Sequence, residues 1–301
     1  DWNDLVYKNR WREAALRREH DVVVAGPGQE LDLGPEATAT DLTVAAGGAF
    51  DRLLAVEGEN YVPRELEGAP CPTAWWAIDT HIHGNEPGDL ALARAFDHVF
   101  LAQRDDVPRF RARGIEAQWL PLACDPDVHR PFDVPKDLDV VFVGNVLPIH
   151  RRRRALLDRL KLRFRVHEAQ GVYREDMARL FSRAKVVFNC SLAGDLNRHV
   201  FEALSTGSLL VTDRIANGLG ELFADGEHLL LYGEEDLELV IERALAGHLT
   251  GAGRLVRKHH TYGERMAGLV GEIVRSSASE ERLRQGRAPS GGLASFTSSG
   301  R

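Results

Sequence analysis

Residues 185–213, KVVFNCSLAGDLNRHVFEALSTGSLLVTD, read as strand, loop, helix and strand. Residues 185–189 and 208–213 are short apolar runs bounded by polar residues, the pattern of parallel strands covered on both faces. A helix between them is expected to be capped by Asp195, to begin Leu196-Asn197-Arg198 and to stop at Gly207. Val200, Phe201 and Leu204 fall on the side that would meet a sheet, while Arg198 and Glu202, four apart, share another face. The product is a βαβ unit. In an open parallel sheet, ligands sit beyond the carboxyl ends of the strands, where helix N-termini direct free N–H groups and a positive dipole at anions. A phosphate near Asn197–His199 with a hydroxylated group against Glu202 is one reading. An Arg198–Glu202 surface ion pair behind an ordinary cap is the other.

Outward from this unit, strand and helix patterns alternate in both directions, which implies an α/β fold with parallel sheets. C-terminal of residue 136 the expected strands are 138–144, 164–168 and 228–232, with helices over 150–163, 173–183, 234–247 and 252–275. N-terminal of residue 124 they are 21–25, 52–57, 73–79, 98–103 and 116–123, with helices over about 1–20, 87–96 and 105–113. A domain of this kind ordinarily opens on a strand and a glycine turn, so the first domain is expected to lack its first strand. Residues 124–136, CDPDVHRPFDVPK, carry three prolines and no apolar period, and are read as an interdomain linker. The expected organisation is a first domain over 1–123, the linker, a second domain over 137–275, and a disordered tail over 276–301, where Ser, Gly, Arg and Glu dominate.

A chain of 301 residues with 44% hydrophobic and 28% charged content can bury two ordinary cores. Its net charge of −7 argues against nucleic acid as the main partner, since backbone phosphate binding leans on a basic surface. Any anion site must be local. Cys71, Cys124 and Cys190 show no CxxC spacing and read as reduced core thiols. No apolar run reaches membrane-spanning length, so a cytoplasmic protein with at most peripheral membrane contact is expected.

Residues 188–232, FNCSLAGDLNRHVFEALSTGSLLVTDRIANGLGELFADGEHLLLY, resemble the donor-nucleotide half of a group 1 glycosyltransferase of the GT-B fold, in particular the branch of CgeB-type spore-maturation proteins. WWAIDTHIH, FLAQRDDVPRF, WLPLACDP and VVFVGN extend the resemblance over roughly residues 50–275. It implies two Rossmann-like domains facing across a cleft. It also implies that Glu202 holds the ribose of a nucleotide-sugar while N–H groups at the helix start, near Asn197 and Arg198, hold the diphosphate. Group 1 enzymes often carry a second Glu eight positions earlier. Gly194 stands there, with Asp195 beside it, either as a substitute carboxylate or as a helix cap.

The turn after the strand at 138–144 carries Gly144 and Asn145, and a glycine there lets backbone approach a diphosphate. In the family this turn bears basic ligands. Asn145 stands where Arg is often found, and Arg151 or Arg152 stands near the second basic position. Successive helical residues are about 100° apart, so at most two of Arg151–Arg154 can point into a cleft, and otherwise the run is a solvated face. Gly171, Val172 and Tyr173 occupy the loop that receives the nucleobase in the family. Asp79, His81 and His83 lie at a strand's carboxyl end. Acceptor-side catalysis by His81 and Asp79, a structural histidine and a metal site are the alternatives there. Asp125-Pro-Asp127 mimics a DxD metal signature, but its place in a Pro-rich linker makes it a turn. His259-His-Thr-Tyr262 with Arg265 is expected to pack the last helix back onto the fold.

The activity implied is transfer of a sugar from a nucleoside-diphosphate-sugar to an acceptor hydroxyl, with no metal or other cofactor and with retention at the anomeric carbon. A non-catalytic nucleotide or glycan binder in envelope or spore-coat assembly and a nucleotide-sugar epimerase are the rivals. The acceptor, glycan, lipid-linked or small molecule, is not fixed by the sequence.

Overall fold

The computed structural model describes residues 11–57, 62–82, 86–247, 249 and 252–286. Two parallel sheets form the frame. In the first, β1 (Leu53–Val56), β2 (Thr73–Ala77), β3 (His98–Leu101) and β4 (Ala117–Trp119) pair in chain order. In the second the order is β6 (Val166–Ala169), β5 (Leu138–Val143), β7 (Ala184–Phe188), β8 (Leu209–Asp213), β9 (Leu230–Tyr232). Strand order reverses at β5, with β6 on one side and β7 on the other. That reversal opens a crevice at the strands' carboxyl ends, where an α/β sheet places its ligands. Every residue of β2 and of β8 is buried, as runs covered by helices on both faces require.

Residues 11–16 form α1. The other helices are α2 (Ala39–Ala45), α3 (Glu86–Ala93), α4 (Val107–Arg111), α5 (Arg151–Lys161), α6 (Arg174–Arg183), α7 (Arg198–Ser205), α8 (Leu219–Leu222), α9 (Leu237–Ala246), α10 (Gly253–His259) and α11 (Tyr262–Gly286). One cluster of buried side chains runs through both halves, joining Trp76 and Phe100 to Val187, Phe201 and Tyr262. The Trp76 and Tyr262 rings meet edge to face at 6.3 Å. Arg265 Nε donates to Pro121 O at 2.9 Å and Gln118 Nε2 to Glu272 Oε1 at 3.2 Å, so α11 packs back against the end of the first sheet.

Three expectations are corrected. Residues 21–25 form no strand. The chain loops through Gly26–Gly28, Leu31 N–H donates to Val24 O and Gly26 N–H to Leu31 O, leaving one isolated parallel bridge between Ala25 and Leu31. These backbone groups are satisfied locally, and Val23 stays 54% exposed. The helix expected over 252–275 is two helices, broken where Cys124 bridges Thr261 and exchanges backbone hydrogen bonds with His260 and Tyr262. α11 also passes residue 275 and ends at Gly286, because Glu280, Glu281, Arg282, Leu283, Arg284 and Gln285 are strong helix formers. Residues 287–301 lie outside the described residues.

Candidate active site

The site is built at the carboxyl edge of the second sheet. β5 ends at Gly144, whose φ of +153° favours glycine and whose hypothetical Cβ would lie 3.1 Å from Phe142 Cζ. Arg153 closes over this turn, its Nη1 donating to Asn145 O at 2.8 Å and its Nη2 to Cys190 O at 2.7 Å. It therefore ties the loop after β5 to the loop after β7. The expected basic ligands are placed differently. Arg151 is exposed on the outer side of α5, lining a shallow surface hollow with Val146, Leu147 and Asp158. Arg152 is engaged by Asp213 at 2.9 Å and Glu234 at 2.6 Å. Helical geometry turns the third arginine, not the first two, toward the turn. Asn145 itself is exposed.

α7 starts at Arg198 with Asn197 as its N-cap residue. Asp195 does not cap it. Its Oδ1 accepts from Leu192 N–H at 2.8 Å and closes the preceding loop instead. Glu202, one turn into α7, is completely buried rather than lining an open cleft. Arg198 Nε stands 2.8 Å from its Oε1, His129 Nε2 3.5 Å from the same oxygen, and His199 Nε2 3.9 Å from Oε2. Neither oxygen accepts a hydrogen bond of good geometry, and Asn197 Oδ1 likewise has no donor. Burial works to raise the Glu202 pKa, yet Arg198, His129 and His199 outweigh it and the carboxyl is held below its ordinary value. Burial also lowers both histidines, which favours their neutral forms.

The first half covers this carboxylate. Trp11 of α1 lies under the Arg198 guanidinium at 5.1 Å, meets His129 edge-on at 5.2 Å and stacks on Tyr262 at 6.2 Å. Arg12, also buried, lies 4.7 Å over the Trp76 ring. Glu57 follows β1 in a left-handed conformation, φ +63°, and its Oε1 accepts from the N–H groups of Ile78 and Asp79. Burial, then the charge of Asp79, pushes the Glu57 carboxyl up to about 7. Asp79 is exposed, and its charge reaches Arg198 across the interface.

Of the sequence-predicted residues, Asn197, Arg198, Glu202 and Gly144 gather at the crevice. Tyr173 is exposed at the N-cap of α6, while Gly171 adopts φ +68° and Val172 packs against the shared core. His81 is half-buried, with an Nδ1 that has no partner. Among the described residues no hydrogen bond or ion pair joins His81, Asp79 and Asp195, and His83 lies outside those residues. Among the described residues, too, no cluster of three His, Cys, Asp or Glu is gathered closely enough to hold a metal ion, and no helix is long and apolar enough to cross a membrane. Trp11, Glu57, His129, Arg153 and Tyr262 were not foreseen as site residues. His129 carried one sequence signal, a lone polar ring between two prolines of the linker.

Residues 135–271 match the family described as glycosyl transferase-like. No curated protein matches the chain by sequence. Among solved structures, AviGT4, a glycosyltransferase involved in avilamycin A biosynthesis, is 18% identical over 89% of this chain and 88% of its own, with a TM-score of 0.58. Alr3699/HepE of Anabaena, solved in complex with UDP, is 13% identical over 91% of this chain and 89% of its own, with a TM-score of 0.51. At such identities the likeness is one of fold. The two parallel sheets take the GT-B fold of these glycosyltransferases, and residues 135–271 are similar to the glycosyl transferase-like family.

Proposed function

We propose that the protein transfers a sugar from a nucleoside-diphosphate-sugar to an acceptor hydroxyl. One observation carries this assignment. A buried carboxylate, Glu202, stands one turn inside α7 at the carboxyl edge of the second sheet, with both oxygens short of a well-formed hydrogen bond. Buried acceptors left in that condition are costly unless a ligand completes them. The paired hydroxyls of a ribose are donors of the right number and spacing for one carboxylate. Asn197 and the first N–H groups of α7 offer the diphosphate an anion site, and the Arg153 guanidinium at the Gly144 turn adds positive charge. With helix dipole and guanidinium countering the departing diphosphate, the transfer needs no obligatory metal. In this scheme Arg198 and Trp11 move aside as the donor enters, because they now cover Glu202.

Retention at the anomeric carbon, a hexosyl donor, a place in the spore-maturation branch and a cytoplasmic location are finer parts of the same proposal, and rest on the group 1 resemblance. The acceptor is taken to enter from the first half, past Asp79 and His81. The covered Glu202 and the Gly194 that replaces a family carboxylate favour one alternative, a binder that does not turn over. Incubation with UDP-, GDP- and TDP-sugars separates the possibilities. Release of nucleoside diphosphate with sugar appearing on an added acceptor supports transfer. A changed sugar still joined to nucleotide means epimerisation, and thermal stabilisation without turnover means a binder.

A further inference from the structure

His129 has no place in the transfer scheme above, yet it is among the most constrained polar groups in the protein. It is wholly buried. The Asp125-Pro-Asp127 turn aims it: Asp127 N–H donates to Asp125 Oδ1 at 3.0 Å, and His129 N–H donates to Asp125 O at 2.7 Å. Asp125 N–H in turn donates to His129 Nδ1 at 3.2 Å. A ring nitrogen that accepts cannot also carry the proton, so the neutral imidazole bears its hydrogen on Nε2. That atom has no hydrogen-bond partner and stands 3.5 Å from Glu202 Oε1, slightly beyond a good hydrogen bond. Before the donor enters, Trp11 meets the ring edge to face at 5.2 Å. The turn's neighbour, Cys124, is itself pinned by backbone bonds to His260 and Tyr262 at the break between α10 and α11. A donor of fixed tautomer, on a segment anchored at Cys124 and again where Phe132 N–H donates to Ser182 Oγ at 3.1 Å, is thus aimed at one oxygen of the candidate ribose ligand.

We propose that His129 is a positioning residue for Glu202. Its Nε2–H takes Oε1 when Arg198 releases it, which leaves Oε2 free to accept from the ribose hydroxyls. The inference rests on Glu202 being the ribose ligand. On this view the linker specifies ribose, and the charge state of His129 plays no part, since the neutral ring is the donor.

Calorimetric titration of the whole chain tests this with UDP, GDP and ADP and the 2′,3′-dideoxy form of whichever binds most tightly. The wild type is expected to prefer the ribonucleotide over its dideoxy form by tenfold or more, a charged hydrogen bond's worth of discrimination. His129→Phe, which keeps a ring of similar size, should reduce that preference severalfold by weakening the ribonucleotide alone. His129→Gln, whose amide N–H can stand in for Nε2–H, should restore part of it. Equal loss of both nucleotides in His129→Phe, or an unaltered preference, overturns the positioning role. Failure of the wild type to bind any of the three instead removes the ribose assignment of Glu202, and this proposal with it.

Discussion

Gln103 and Asn217, 114 positions apart, share a buried side-chain hydrogen bond in which Asn217 Nδ2 donates to Gln103 Oε1. The same oxygen accepts from Leu196 N–H at 3.2 Å, just before α7, and Asn217 exchanges further bonds with Asp105 at 3.1 and 3.2 Å. The pair thus clamps the rim of the first sheet to the loop that presents the candidate donor site. Buried polar groups linked this way depend on one another.

Gln103→Ala and Asn217→Ala should each cost ~1–3 kcal/mol, because each strands a buried donor or acceptor. Together they should cost less than the sum by ~0.5–2 kcal/mol, read from urea unfolding midpoints of the four variants. Strict additivity would show that the two side chains do not work as one.

Gly218 is where the halves meet backbone to ring. Its φ is +79°, and a Cβ there would fall 2.6 Å from Trp119 Cη2. Gly218→Ala therefore combines left-handed strain with a clash across the interface, and a loss of ~2 kcal/mol or more is expected. A melting temperature equal to that of the wild type would mean that the halves do not pack at Trp119.

Glu57 gives the stability a pH dependence of definite sign. Its carboxyl moves from 4.5 to about 7 on folding. Between those values the folded chain keeps a proton that the unfolded chain has lost. Stability therefore falls as pH rises through that window, by ~1–3 kcal/mol for this group, and levels off above it. Glu57→Gln, which can still accept from Ile78 and Asp79 N–H, should flatten that fall. Parallel pH–stability curves for the two proteins would refute the assignment.

The legible part of this structure is the part held by local pattern. Runs such as 138–143, 184–188 and 209–213 announce buried parallel strands, and the Leu196–Gly207 stretch announces the helix between them, because both signals lie within a few neighbouring residues. The grouping of Glu202 with Arg198 follows from four-residue spacing alone. What could not be read there depends on partners far apart in sequence. The break at His260–Thr261 exists because Cys124 pairs with it. Val22–Val24 has strand-forming residues but, among the described residues, no neighbouring strand to bond. Arg153 rather than Arg151 or Arg152 reaches the glycine turn because of the rotation of α5 on its sheet, which a run of four identical residues conceals. Trp11 and His129 come over Glu202 only when the halves are assembled.

The most direct test of Glu202 as a ribose ligand is the affinity of the whole chain for UDP, GDP and TDP, measured by calorimetry beside Glu202→Ala. Loss of a charged acceptor from a buried site should weaken the nucleotide that binds best by ~1–3 kcal/mol, roughly five- to more than a hundredfold. An affinity in Glu202→Ala equal to that of the wild type would contradict it, and the nucleotide would have to sit elsewhere than on α7.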